Sequence, residues 1–217
     1  MSYKLDLPCN TILIGMTKSG KTHLLKCLIG LHADFFNYGL CFSSTSFSGD
    51  YDYLPDEYVY EEYDENIIRA TMNKQRQYLE LYQQGKIKSM PEAFIILDDQ
   101  LGLVEFHKKN NIFDMLFSKG RHLHISCFLS IQMSSYLSPC IRYNSMYIFI
   151  TVIHGGAKTM MYELSRGFKS EKEFNEFLDE NCVDHKVVVF DNSDAYEKQY
   201  IKIIKAPGNI PDFYLDY

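Results

Sequence analysis

Eight consecutive residues, Gly15-Met16-Thr17-Lys18-Ser19-Gly20-Lys21-Thr22, constrain this chain more than any other feature. They fit G-x-x-x-x-G-K-[ST] at every defined position. Before them stands Thr11-Ile12-Leu13-Ile14, a β-branched apolar run that reads as a buried strand. After them Leu24, Leu25, Leu28 and Leu31 recur at helical spacing, which predicts a helix over 21–31. Strand, glycine-bearing loop and helix in that order make a phosphate cradle. The glycines let the backbone bend until its N–H groups face an anion, and the helix start adds the positive end of its dipole. In such a loop Lys21 reaches the β- and γ-phosphates, and the Thr22 hydroxyl ligates Mg²⁺. Residues 15–22, with His23 behind them, are the candidate nucleotide-binding set.

The rest of the pattern is that of an α/β domain. Ala93-Phe94-Ile95-Ile96-Leu97 is apolar at every position, which suits a strand covered on both faces, as in a parallel sheet. Leu40-Cys41-Phe42, 125–131 and 146–153 read as further strands. Helices are expected over 65–84, capped by Asp64 and ended by Gly85, and over 104–118, 158–166 and 171–178. Residues 186–190 and 199–204 flank Asp191-Asn192-Ser193-Asp194 and predict an antiparallel hairpin closing the sheet edge. A single domain over 1–217 is expected, with a core from about 11 to 206 and a peripheral tail from 207. The acidic, tyrosine-rich segment 50–64 is expected to repel DNA, and to pack as surface structure or to meet a protein partner.

A phosphate loop of this kind needs a second Mg²⁺ holder at the end of another strand. Asp98, directly after the apolar run 93–97, supplies one. Asp99 follows it, and neighbouring side chains at a strand end point to opposite sides, so the two carboxylates are expected to do different jobs. Asp99 either positions the attacking water or caps the next element. Gln132 ends the strand candidate 125–131. It faces the γ-phosphate if that strand lies between the other two, and is otherwise an ordinary loop residue.

Composition narrows the partners. Lys+Arg number 22 against 28 Asp+Glu, a formal charge of −6, so any contact with DNA must use a local basic patch. The densest candidate surrounds 107–124, with His107, His122 and His124. There Lys108, Lys109, Lys119 and Arg121 against Asp114 leave a net +3. It could contact DNA phosphates without sequence preference, or be a solvated helix face. The 6 cysteines show no Cys-x-x-Cys pair and several sit in apolar runs, so they read as reduced core thiols of a cytosolic protein rather than a zinc site or disulfide frame. No apolar run approaches the ~18 residues of a membrane helix, and the N-terminus lacks a signal-peptide core.

Three features in order carry a resemblance: the phosphate loop; Ile95-Ile96-Leu97-Asp98-Asp99; and Gly120-Arg121-His122 followed by Ile125-Ser126 and Gln132. Together they resemble the genome-packaging ATPases of poxviruses and other large double-stranded DNA viruses, within the FtsK–HerA superfamily of P-loop motors. The resemblance covers roughly 11–151. It implies a mainly parallel, RecA-like sheet of the ASCE type, with the Gln-bearing strand between the loop strand and the Asp-Asp strand. Gln132 would then sense the γ-phosphate. It implies ATP and Mg²⁺ as cofactors, and a homo-oligomeric ring, usually a hexamer, with ATP at subunit interfaces. It implies an arginine supplied to the neighbour's ATP, for which Arg121 is the first choice and Arg166 the second; a DNA-phosphate contact or a salt bridge is the alternative for Arg121. Double-stranded DNA and capsid proteins are the implied partners, with no membrane, and the host cytoplasm, its viral factory or the virion is the implied location.

Two other readings compete. A P-loop nucleoside or nucleotide kinase generally needs an arginine-rich lid, which five dispersed arginines fit poorly. The other is a nucleotide-gated switch or structural capsid component; a structural role would survive Lys21→Ala, whereas a motor would lose packaging and hydrolysis together. Guanine specificity is set aside, because Asn73-Lys74 continues as Gln75-Arg76 and not as Asn-Lys-x-Asp.

Overall fold

The computed structural model describes residues 3–100, 111–132, 137–194, 200–208 and 213–215. Eight strands among them form one sheet: β1 (Asn10–Ile14), β2 (Tyr38–Ser43), β3 (Val59–Tyr60), β4 (Ala93–Asp98), β5 (Ile125–Ile131), β6 (Tyr147–Ile150), β7 (Lys186–Asp191) and β8 (Tyr200–Lys205). Their order is β3-β2-β4-β5-β1-β6-β7-β8. The pairings from β3 through to β6 are parallel, and β7 and β8 add an antiparallel edge. β5 therefore lies between β1 and β4, so the Gln-bearing strand separates the loop strand from the Asp-Asp strand, as the resemblance implied.

Strand periodicity splits the core in two. Residues such as Ile12, Phe42, Ile95, Leu97 and Leu129 face one side; Leu13, Cys41, Phe94, Ile96 and Phe128 face the other. The first side is roofed by α2 (Glu65–Gln83), α3 (Ile112–Lys119), α4 (Pro139–Tyr143), α5 (Gly156–Leu164) and α6 (Glu171–Asn181). The second is covered by α1 (Lys21–Gly30), helped by Leu5, the segment Tyr51–Leu54 and Leu215. Asp98 continues the Phe94-Ile96 series, so the pleat alone puts it on the α1 side.

Local chemistry accounts for the boundaries. Asp64 caps α2 by accepting from the Asn66 N–H at 2.8 Å, and Gly85 ends it at φ +68°. α3 begins at Ile112, because the Asn111 side chain caps it by accepting from the Asp114 N–H at 2.8 Å. Residues 104–110 of the expected helix lie outside the described residues. β6 stops at Ile150, short of the expected 153. The chain there turns toward the phosphate loop, and the Val152 carbonyl accepts from the Met16 N–H at 2.8 Å. α4 was not anticipated; Ser138 caps it, with Pro139 in its first turn.

Two expectations are corrected. The tail is not wholly peripheral: Leu215 is buried, its N–H donates to the Tyr53 carbonyl at 2.9 Å, and the Phe213 ring lies 4.9 Å from that of Tyr53. Among the described residues α1 alone of the α-helices covers that side of the sheet, and these residues fill apolar surface it leaves. Nor is segment 50–64 purely surface structure. Tyr51 and Tyr53 are 2% and 1% exposed, lodged against α1 and β2.

Candidate nucleotide-hydrolysis site

The loop between β1 and α1 bends through two left-handed residues, Lys18 at φ +62° and Gly20 at φ +90°. Gly20 tolerates that conformation at no steric cost. Gly15 is needed for space instead. A Cβ there would sit 1.7 Å from Thr151 Oγ1 and 2.6 Å from Ser19 Oγ, two hydroxyls that are bonded to each other at 2.7 Å. Thr151 thus braces the loop from the end of β6, a role its sequence position gave no sign of.

Lys21 is buried and its ammonium donates to the Gly15 and Met16 carbonyls, both at 2.9 Å. Burial pushes its pKa down, against the pull of the Asp98 and Asp99 charges. The Thr22 hydroxyl donates to Asp98 Oδ2 at 3.3 Å, so the two oxygens proposed to share a cation do meet. The Tyr51 hydroxyl donates to the same Oδ2. Burial pushes the Tyr51 phenol far above its ordinary range, so it stays protonated and a donor. His23 is exposed, and its Nε2 meets the Pro207 carbonyl at 2.6 Å, drawing the C-terminal segment over the start of α1.

Asp99 diverges from Asp98 for a reason beyond strand alternation. It leaves β4 at φ +53°, in the left-handed region, with its N–H on the Ser130 carbonyl at 3.3 Å. The carboxylate meets Gln132, whose Nε2 donates to both oxygens at 2.7 and 2.8 Å. Gln132 Oε1 accepts from the Thr17 hydroxyl at 2.8 Å. One amide therefore links the phosphate loop to the second carboxylate across the β1–β5–β4 order.

Arg121 is elsewhere. It opens a 3₁₀ turn (Arg121–Leu123) before β5, at the end of the strand opposite Gln132. The length of β5 puts it about 20 Å from the loop. It is exposed and donates to Met146 Sδ at 2.7 Å. It lines one cavity of about 400 Å³ with Arg142 and Arg166. Neither Arg121 nor Arg166 is brought to its own subunit's loop. Of the basic stretch, Lys119 and His122 are exposed beside Arg121, and His124 is tied to Glu92 at 2.6 Å. His107, Lys108 and Lys109 lie outside the described residues. Five cysteines are buried and Cys140 is partly so, none in a disulfide. No described helix is long and apolar enough to cross a membrane.

Comparison with known proteins agrees with this fold. The chain is 26% identical over 191 residues to uncharacterized protein 075L of Invertebrate iridescent virus 6, covering 84% of this chain and 70% of that one. It is 25% identical over 210 residues to uncharacterized protein L437 of Acanthamoeba polyphaga mimivirus, covering 92% and 72%. Its fold is similar to that of the genome packaging NTPase B204 from Sulfolobus turreted icosahedral virus 2 in complex with AMPPCP, at TM-score 0.66 and 18% identity over 94% of this chain and 100% of that one. The pCW3 conjugation coupling protein TcpA shares the fold at TM-score 0.62 and 14% identity, over 96% and 61%. The poxvirus A32 protein family matches residues 3–206, nearly the whole chain, and this chain belongs to that family.

Proposed function

We propose that this chain is a viral DNA-packaging motor, which hydrolyses ATP at the β1–α1 loop to drive double-stranded DNA into a capsid. The observation that carries the reading is the convergence of Thr22 and Asp98 on one side of the loop and of Thr17, Gln132 and Asp99 on the other. The first pair would hold the cation and the second set would read the terminal phosphate. Family membership and the fold shared with a genome packaging NTPase support the same reading.

The donor set fits Mg²⁺. A hydroxyl and a nearly buried carboxylate, both hard oxygen ligands, stand together at the mouth of an anion cradle. Bound there, Mg²⁺ would offset negative charge on the phosphates. The chain's own residues do the rest. Lys21 exchanges its loop carbonyls for phosphate oxygens. Asp99 orients the attacking water, with Gln132 holding its carboxylate. Arg121, or Arg166 beside the same cavity, faces away from its own site, so it would serve a neighbouring subunit in a homo-oligomeric ring, a hexamer on the family pattern. Duplex DNA would be met without sequence preference through the basic stretch around Lys119, Arg121 and His122. The host cytoplasm, its viral factory or the virion would be the place of work, with capsid proteins as further partners.

Asp99→Asn tests the assignment. It should leave ATP affinity within about twofold and lower turnover by roughly 10²–10⁴-fold, the range for a lost acid–base group. Normal turnover in Asp99→Asn would contradict the role given to Asp99.

A further inference from the structure

We propose that Tyr51 is the positioning residue for Asp98, and so sets how readily the nucleotide site takes up Mg²⁺; this rests on the hydrolytic reading above. Asp98 is 4% exposed, and a buried carboxylate needs donors to hold its charge and its direction. Two hydroxyls reach its Oδ2. Thr22 does so at 3.3 Å, a long contact, and Tyr51 is the closer of the two. Thr22 is also the hydroxyl that must turn to a cation. Once it does, Tyr51 is, among the described residues, the donor left to keep the Asp98 carboxylate facing the loop.

Tyr51 is itself held from several sides without Asp98. Its carbonyl accepts from the Leu54 N–H at 3.0 Å. The next residue, Asp52, pairs with Lys26 of α1 at 2.8 Å. The Tyr53 ring lies 6.1 Å from its own ring and is packed by Phe213. Its phenol lies beside the Cys41 thiol of β2. A donor fixed by α1, β2 and the C-terminal segment offers its hydrogen from a set direction, and a phenylalanine would fill the same space without offering one. Packing and positioning therefore separate cleanly in Tyr51→Phe.

The full chain, wild type and Tyr51→Phe, is titrated with a fluorescent non-hydrolysable ATP analogue in EDTA and over a series of Mg²⁺ concentrations. Tyr51→Phe should bind the analogue in EDTA within about twofold of wild type, while the Mg²⁺ concentration that half-tightens binding rises about tenfold, as for loss of a hydrogen bond to a charged group. An unchanged Mg²⁺ half-point in a folded Tyr51→Phe overturns the proposal. A Tyr51→Phe that fails to fold while Asp98→Ala remains folded also overturns it, since the hydroxyl would then support the fold through something other than Asp98. Wild type binding that no Mg²⁺ concentration tightens would sink the hydrolytic reading itself, a failure visible before any variant is made.

Discussion

Gly15→Ala offers a test whose size follows from the structure. The φ of Gly15 is not left-handed, so backbone strain is not the issue; space is. The added methyl would lie 1.7 Å from Thr151 Oγ1. That oxygen is pinned by Ser19 Oγ at 2.7 Å and by the Ile14 carbonyl at 3.2 Å, in a side chain 3% exposed, so it has little freedom to withdraw. Overpacking a well-filled site costs about 1–3 kcal/mol. Losing the Ser19–Thr151 bond adds about 1 kcal/mol. At 2–4 °C per kcal/mol for a domain of this size, the melting temperature should fall by roughly 5–15 °C. Thr151→Ala removes the closer of the two offending oxygens, frees Ser19 Oγ, 2.6 Å from the new methyl, from its hydroxyl partner so that it can rotate away, and leaves a 3.1 Å contact with the Cβ of residue 151. The double variant should therefore recover much of the loss, with a coupling of about 1–3 kcal/mol. Thermal denaturation of the two singles and the double reads this directly. A Gly15→Ala protein that melts like wild type, or strictly additive losses in the double, would refute the bracing role of Thr151.

Other variants probe other parts of the account. Gln132→Ala cuts the link between Thr17 and Asp99 and should lower turnover by about tenfold or more with a much smaller change in ATP affinity, measured by steady-state hydrolysis and equilibrium binding. Arg121→Ala should abolish activity alone yet be partly restored when mixed with Lys21→Ala subunits, because each supplies what the other lacks; a mixture as inactive as its parts would argue against service in trans. Asp191 concerns acid stability. Burial alone would raise its pKa, but Lys202, Ser193 and Tyr3, at 2.8, 2.6 and 2.8 Å, hold it below the ordinary carboxylate range. A depressed folded pKa means stability that is full above about pH 4 and lost as pH falls through the lower folded value. Asp191→Asn should therefore lose less melting temperature between pH 6 and pH 3 than wild type does, and parallel curves would contradict the assignment.

Much of the site was legible in the chain because its parts are local. The loop, its strand and its helix are contiguous, and Asp98 is marked by the apolar run that ends in it. Gln132 was harder, since the role proposed for it depends on β5 lying between β1 and β4, which only the family resemblance implied. Thr151 and Tyr51 were not legible. Both act through contacts between segments far apart in sequence, Thr151 on Ser19 and Tyr51 on Asp98. Nothing in the acidic, tyrosine-rich run around Tyr51 distinguishes a buried phenol from an exposed one; the apolar surface that α1 leaves uncovered decides it. The same surface draws in Phe213 and Leu215, which the composition of the tail did not foretell.

A packaging motor couples ATP cleavage to work on duplex DNA. Phosphate release from ATP by the purified chain, measured with Mg²⁺ and with either duplex DNA or a nucleoside acceptor added, tests it most directly. Hydrolysis to water that rises with duplex DNA, ignores the nucleoside and vanishes in Lys21→Ala is the predicted result. Transfer of the phosphate to the nucleoside, with no response to DNA, would contradict it.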